Sequence, residues 1–172
     1  MRYERAVSSE NFPTAGPPSA GDAAVPGPAT LRLFVALAPP DDAKSELERA
    51  LRPVYAAHPL LRWNRIEDWH ITLAFLGELP AEVVPGLRAA LAEVSGAHPA
   101  PELALVGAGH FDDRVLWSGL RGDLDRLHAL AASVRQAVAA CGLPYADRPL
   151  RPHLTLARAR RGNVDGIGQA AG

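Results

Sequence analysis

From residue 31 onwards the apolar positions alternate between runs of strand length and stretches of helical period. LRLFVAL, residues 31–37, is an apolar run of strand length stopped by Pro39 and Pro40. Asp41 and Asp42 favour the positive N-terminal end of a helix, and Leu47, Leu51 and Val54 mark its buried face. A short strand is expected within residues 61–66, and WHITLAFL, 69–76, reads as a strand ended by Gly77 and Pro80. Residues 81–95 carry helical spacing through Val83, Val84, Leu87, Leu91 and Val94, with Pro85 tolerated in the first turn. ELALVG, 102–107, and RVLWSGL, 114–120, pattern as two strands joined by a turn through Asp112 and Asp113. The stripe Leu124, Leu127, Ala131, Val134, Val138 defines a helix from Asp123 to Ala140, with Gly142 as its C-terminal cap. HLTLARA, 153–159, is the last strand. Strand, helix, one or two strands, helix, two strands, helix and strand predict an α+β protein with largely antiparallel sheets.

Both ends fall outside this pattern. Residues 1–29 are rich in Pro, Gly, Ala and Ser without periodicity, and a disordered tail is expected there. RGNVDGIGQAAG, 161–172, is polar and Gly-rich and is expected to be a flexible C-terminal tail, which leaves 30–160 as the folded domain. A formal charge of −1 argues against a general polyanion binder but not against a site for one nucleotide end, which needs only local positive groups. The single cysteine, Cys141, permits no intrachain disulfide and is expected to be a small buried hydrophobe near a helix end. With no apolar run of about 20 residues and no signal-peptide pattern, a soluble cytoplasmic monomer is expected.

The chemistry lies in a repeat. HITLA at 70–74 matches HLTLA at 153–157, each inside a predicted strand. Strand alternation sends His70 and Thr72 to one face and Ile71 and Leu73 to the other, and it treats His153, Thr155, Leu154 and Leu156 alike. Two such strands brought together present two imidazoles and two hydroxyls. In-line displacement at phosphorus requires a base on the attacking side and an acid on the leaving side, and imidazole serves both roles near neutral pH. Threonine hydroxyls can donate to the non-bridging phosphate oxygens. A single H-x-T is weak evidence of function; its recurrence in the same local context is what points to a paired site. Two histidines are too few for a zinc site and no carboxylate lies in either strand, so neither metal nor cofactor is expected.

The paired motifs, together with RLFVALAPP (32–40), Arg62-Trp63, HITLAFLGEL (70–79), RVLWSGL (114–120) and RPHLTLARAR (151–160), resemble the two-histidine (2H) phosphoesterase superfamily. Within it, the similarity is to the RNA 2′,3′-cyclic phosphodiesterase family, also called 2′-5′ RNA ligase-like. The resemblance implies a bilobal, pseudo-two-fold-symmetric α+β fold, with antiparallel sheets, outer helices and one H-x-T motif per lobe facing a central cleft. Only 17 residues follow Thr155, so the C-terminal strands that such proteins add after the second motif are expected to be missing. The resemblance implies RNA ends or nucleotides with a 2′,3′-cyclic phosphate as partners, and their metal-independent hydrolysis to 2′-phosphomonoesters. It assigns His70 as proton donor and His153 as proton acceptor. RNA-end binding with little turnover, and 2′-5′ ligation of tRNA halves, are the alternatives.

Arg158 matches as a phosphate or nucleotide contact, although alternation from His153 places it on the opposite face unless the strand bends. Phe34 is a candidate to stack on a base, with a core position as the alternative. Trp63, Trp69 and Trp117 are assigned to packing. His58, His98, His110 and His128 lack the H-x-T context and are assigned to the surface.

Overall fold

The computed structural model describes residues 29–159 together with Ile167, Ala170 and Ala171. Strand β1 (Thr30–Leu37) is followed by helix α1 (Asp41–Ala57), β2 (Arg62–Trp63), β3 (Ile71–Pro80), α2 (Val84–Ala97), β4 (Leu103–Phe111), β5 (Val115–Gly122), α3 (Leu124–Ala140) and β6 (His153–Arg158). All strand pairs are antiparallel, in the order β1-β3-β6-β5-β4, with β2 beside the far end of β6. The elements are those the apolar pattern predicts. The β4–β5 turn falls at Asp112 and Asp113, with φ of 48° and 50°, as a tight hairpin with two left-handed residues requires. Gly142 ends α3 at φ 71°, while the Leu143 N–H reaches back to the Val138 carbonyl at 3.2 Å.

The helices cover one face of the sheet, and the core beneath them is divided. One cluster joins Leu33 and Leu37 of β1 and Ile71, Leu73, Ala74 and Leu76 of β3 to α2 and α3. The other joins Leu116 of β5 and Leu154, Leu156 and Ala157 of β6 to Leu51 of α1 and to Trp69. Two of the helices pack on the half of the sheet to which their preceding strand does not belong: α1 follows β1 but serves the second cluster, and α3 follows β5 but serves the first, whereas α2 stays with β3 in the first. The halves meet in the β-ladder at one registered pair between β3 and β6, Ile71 and Leu154.

Two expectations are corrected. Cys141 is exposed, because it caps α3 beyond the last buried turn at Val138. The tail 161–172, expected to be flexible throughout, contains Ile167, which has helical backbone and is fully buried in the second cluster, with Ala170 and Ala171 packed beside it. A lone isoleucine among glycines has no periodicity to announce it, but its burial removes a whole apolar side chain from water. Residues 1–28, and the rest of the C-terminal segment, lie outside the described residues.

Glycine at 109 has a packing reason. It pairs with Trp117 across the hairpin, and the indole ring occupies the space that a Cβ at 109 would take. Gly109→Ala is therefore expected to cost about 1–3 kcal/mol by overpacking. Urea titration followed by tryptophan fluorescence checks it, a midpoint equal to wild type being the contrary result.

Candidate functional site

His70 immediately precedes β3 and His153 begins β6, one residue before the pair that joins the halves. Extending the register from Ile71 and Leu154 by one residue each way sets His70 opposite Thr155 and Thr72 opposite His153. Directly opposed residues share a face, so all four side chains stand on the side away from the helices. Ile71 and Leu154, pointing the other way, are 1% and 0% exposed, and anchor the strands. The two histidines are then diagonal neighbours, a relation that separates residues by about 7–8 Å.

Both imidazoles are held by the same contact. His70 Nδ1 lies 2.6 Å from the Asp68 carbonyl oxygen, and His153 Nδ1 lies 2.6 Å from that of Arg151. A carbonyl only accepts, so Nδ1 carries the hydrogen in each ring and Nε2 is the nitrogen left free of that contact. A neutral ring then offers Nε2 as acceptor, and a protonated ring offers Nε2–H as donor. The repeat therefore supplies two chemically matched groups, either of which can take or give a proton.

Aromatic rings flank both. Phe34 of β1 stacks on His70 at 4.7 Å between centroids and 28° between planes. Phe111 meets His153 edge-on at 5.0 Å, with Trp117 at 6.4 Å. Phe34 is thus neither simply core nor free. Phe111, at the end of β4, escapes sequence reasoning, since only the hairpin register carries it to the site. Trp117, assigned to packing, does pack, but against Phe111 and on the face that carries His153. Trp69 and Trp63 belong to the second core cluster, as expected.

Arg158 resolves by a β-bulge. Thr155 pairs with Trp117 but Ala157 pairs with Leu116, so Leu156 is the extra residue. Parity changes there: Leu156 and Ala157 are both buried, and Arg158 returns to the open face with His153 and Thr155. The first motif does the same. Thr72 pairs with Ala36 and Ala74 with Val35, so Leu73 is extra, Leu73 and Ala74 are both buried, and Phe75 emerges on the open face. Each bulge frees a carbonyl, and each carbonyl is satisfied from outside the strand pair. Leu73 O accepts from Arg135 Nε at 3.3 Å, and Leu156 O accepts from the Asn64 N–H at 2.8 Å. The motif is thus a six-residue unit, histidine to fifth residue beyond, with one burial pattern used twice. The sequence carries the signal: Leu-Ala in tandem breaks strict alternation in both copies.

The other histidines stand apart from this pair. His110 approaches the Asp113 carboxylate at 3.0 Å, and His98 Nε2 lies 2.9 Å from Ser133 Oγ. Among the described residues no group of three or more His, Cys, Asp or Glu side chains is arranged to hold a metal ion. Nor, among them, is any helix long and apolar enough to cross a membrane.

The antiparallel α+β sheet is the fold of solved phosphoesterases, E. coli LigT among them. The chain belongs to the 2′-5′ RNA ligase superfamily, whose family model matches residues 39–164. It is 33% identical over 135 residues to the RNA 2′,3′-cyclic phosphodiesterase of Geobacillus stearothermophilus, covering 76% of this chain but 43% of that protein. Its identity to the RNA 2′,3′-cyclic phosphodiesterase of Escherichia coli is 34% over 131 residues, covering 74% of this chain and 71% of the relative. The crystal structure of E. coli LigT complexed with 3′-AMP superposes with a TM-score of 0.58 at 29% identity, covering 76% of this chain and 73% of LigT.

Proposed function

We propose that residues 30–160 form a catalytic domain that opens 2′,3′-cyclic phosphates at RNA ends and leaves 2′-phosphomonoesters. The observation that carries this reading is the matched pair of imidazoles, each turned by a carbonyl so that Nε2 is the free nitrogen, at diagonal positions on one face. His153 accepts a proton from water as the water oxygen attacks phosphorus. The bond from phosphorus to the 3′-oxygen breaks, and His70 Nε2–H protonates the departing oxygen. Thr72 and Thr155 donate to the non-bridging oxygens, where negative charge gathers during transfer. Arg158 contacts the phosphate or nucleotide, and Phe34 holds His70 on one side and offers a ring edge to the base. Relatives bearing the name RNA 2′,3′-cyclic phosphodiesterase, and a relative crystallised with a 3′-nucleotide, support the substrate class.

Acid, base and anion-stabilising groups are all protein side chains in this scheme, so activity is expected to persist in excess EDTA. The test is hydrolysis of a nucleoside 2′,3′-cyclic phosphate with and without chelator, with the product phosphate located by NMR. A 3′-phosphate product, or activity lost to EDTA and restored by a divalent cation, contradicts the mechanism.

A further inference from the structure

The open face sets a second arginine, which the two-histidine scheme does not use, beside Arg158. Strand β2 lies against the far end of β6 with Arg62 directly opposite Arg158 and Trp63 opposite Ala157. Trp63 and Ala157 belong to the buried cluster, so the two arginines share the other face, the one bearing His153 and Thr155. Both are exposed. Like charges directly opposed across a strand pair destabilise the sheet. Neither arginine forms an ion pair among the described residues. Arg65, three positions on, is answered by Glu67 at 3.3 Å, and that carboxyl is held below its ordinary range by a backbone hydrogen bond and by Arg65. The repulsion between Arg62 and Arg158 is left for something else to relieve.

We infer that Arg62 and Arg158 together hold a second phosphate of the substrate, the one on the 5′-oxygen of the terminal nucleotide. The inference rests on the reading that the histidines act at the cyclic phosphate. Arg158 lies five residues beyond His153 with one residue looped into the bulge, which is about four strand steps, or roughly 13 Å between Cα atoms. An arginine arm pointing back along the face shortens that gap to the scale of a single nucleotide. Guanidinium groups bind phosphate by paired N–H donors, and two of them converging on one group bring charge-assisted hydrogen bonds that a lone arginine lacks. The bulge at Leu156 is what makes this possible, since without it Arg158 and its partner Arg62 both face the core side. The site would therefore prefer a terminal nucleotide that carries a 5′-phosphate, either as a monoester or as the linkage to an RNA chain.

Three substrates test this: a nucleoside 2′,3′-cyclic phosphate, the same compound with a 5′-phosphate, and a trinucleotide ending in the cyclic phosphate. Wild type should favour the second and third over the first. Arg62→Gln should lower that preference about tenfold, the worth of one charge-assisted hydrogen bond, through KM more than kcat. Arg62→Lys, which keeps the charge, should recover part of it. A preference seen only with the trinucleotide assigns the pair to the diester linkage; one seen with both assigns it to a 5′-phosphate of either kind. An equal fall on all three substrates, or no change on any, overturns the inference. If wild type hydrolyses none of them, it is the reading of the histidines that fails, and binding decides the arginines. A labelled trinucleotide 3′-phosphate should then bind Arg62→Gln about tenfold more weakly, with the salt slope shallower by about 0.7 because one fewer phosphate is neutralised. Unchanged affinity and slope overturn the inference there as well.

Discussion

Alanine at His70 or His153 is expected to lower kcat/KM for a 2′,3′-cyclic phosphate by about 10²–10⁴-fold, the range of a positioned acid or base. Both side chains stand on the open face, and each donates from Nδ1 to a carbonyl only two residues away, so folding should be retained and circular dichroism should match wild type. The two variants are further expected to differ in the pH dependence of their residual rates. On the proposed mechanism the wild-type acceptor must be neutral and the donor protonated, so the rate is expected to fall at both extremes. Without His153 the acidic limb goes, because no acceptor remains to be protonated as pH drops. Without His70 the alkaline limb goes, because no donor remains to lose its proton as pH rises. The opposite pattern would exchange the two roles while leaving the pair intact. Wild-type rates in either variant would remove that histidine from the mechanism.

Leu154→Ala is expected to destabilise the fold by about 2–5 kcal/mol, the cost of emptying a fully buried leucine site. Leu154 has no exposed surface and lies in the second core cluster, and it also forms the β3–β6 pair with Ile71. The substitution therefore weakens the place where the halves of the sheet meet, and activity should fall more steeply with denaturant than in a variant of equal cost elsewhere, such as Leu127→Ala in α3. Equal sensitivity of activity in the two variants would mean that the junction does not govern the relation between the histidines. Chemical denaturation read in parallel with turnover separates these outcomes.

Much of the fold is legible in the residue pattern. Helical stripes such as Leu127, Ala131, Val134, Val138 repeat too regularly to be mistaken, and α3 is buried along them with Leu130 added. The H-x-T repeat marks the candidate site because polar side chains presented by a half-buried strand must alternate with buried ones, and His70-Ile71-Thr72 and His153-Leu154-Thr155 do so. What the pattern does not show depends on strand pairing, which no local stretch contains. Phe111 reaches His153 only through the hairpin register, and Arg62 meets Arg158 only because β2 runs beside β6. Simple parity sends Arg158 to the wrong face because a bulge is decided by the partner strand as much as by its own sequence. Ile167 is hidden from sequence reasoning because a single apolar residue has no period.

The repeated bulge also bears on direction. A scaffold built twice around one axis would accept a ligand either way round with equal energy. The fifth residue after each histidine breaks that equivalence: one half presents the exposed ring of Phe75, with the Arg32 guanidinium 5.0 Å from its centroid, and the other presents Arg158 beside Arg62. For a molecule with a flat apolar end and an anionic end, the two orientations now differ, since the ring stacks at one side and the anion pairs at the other. On the mechanism proposed above, the seating of the ligand would then decide which imidazole faces the departing oxygen. A backbone irregularity of one residue, made twice, thereby gives a nearly symmetric frame a head and a tail.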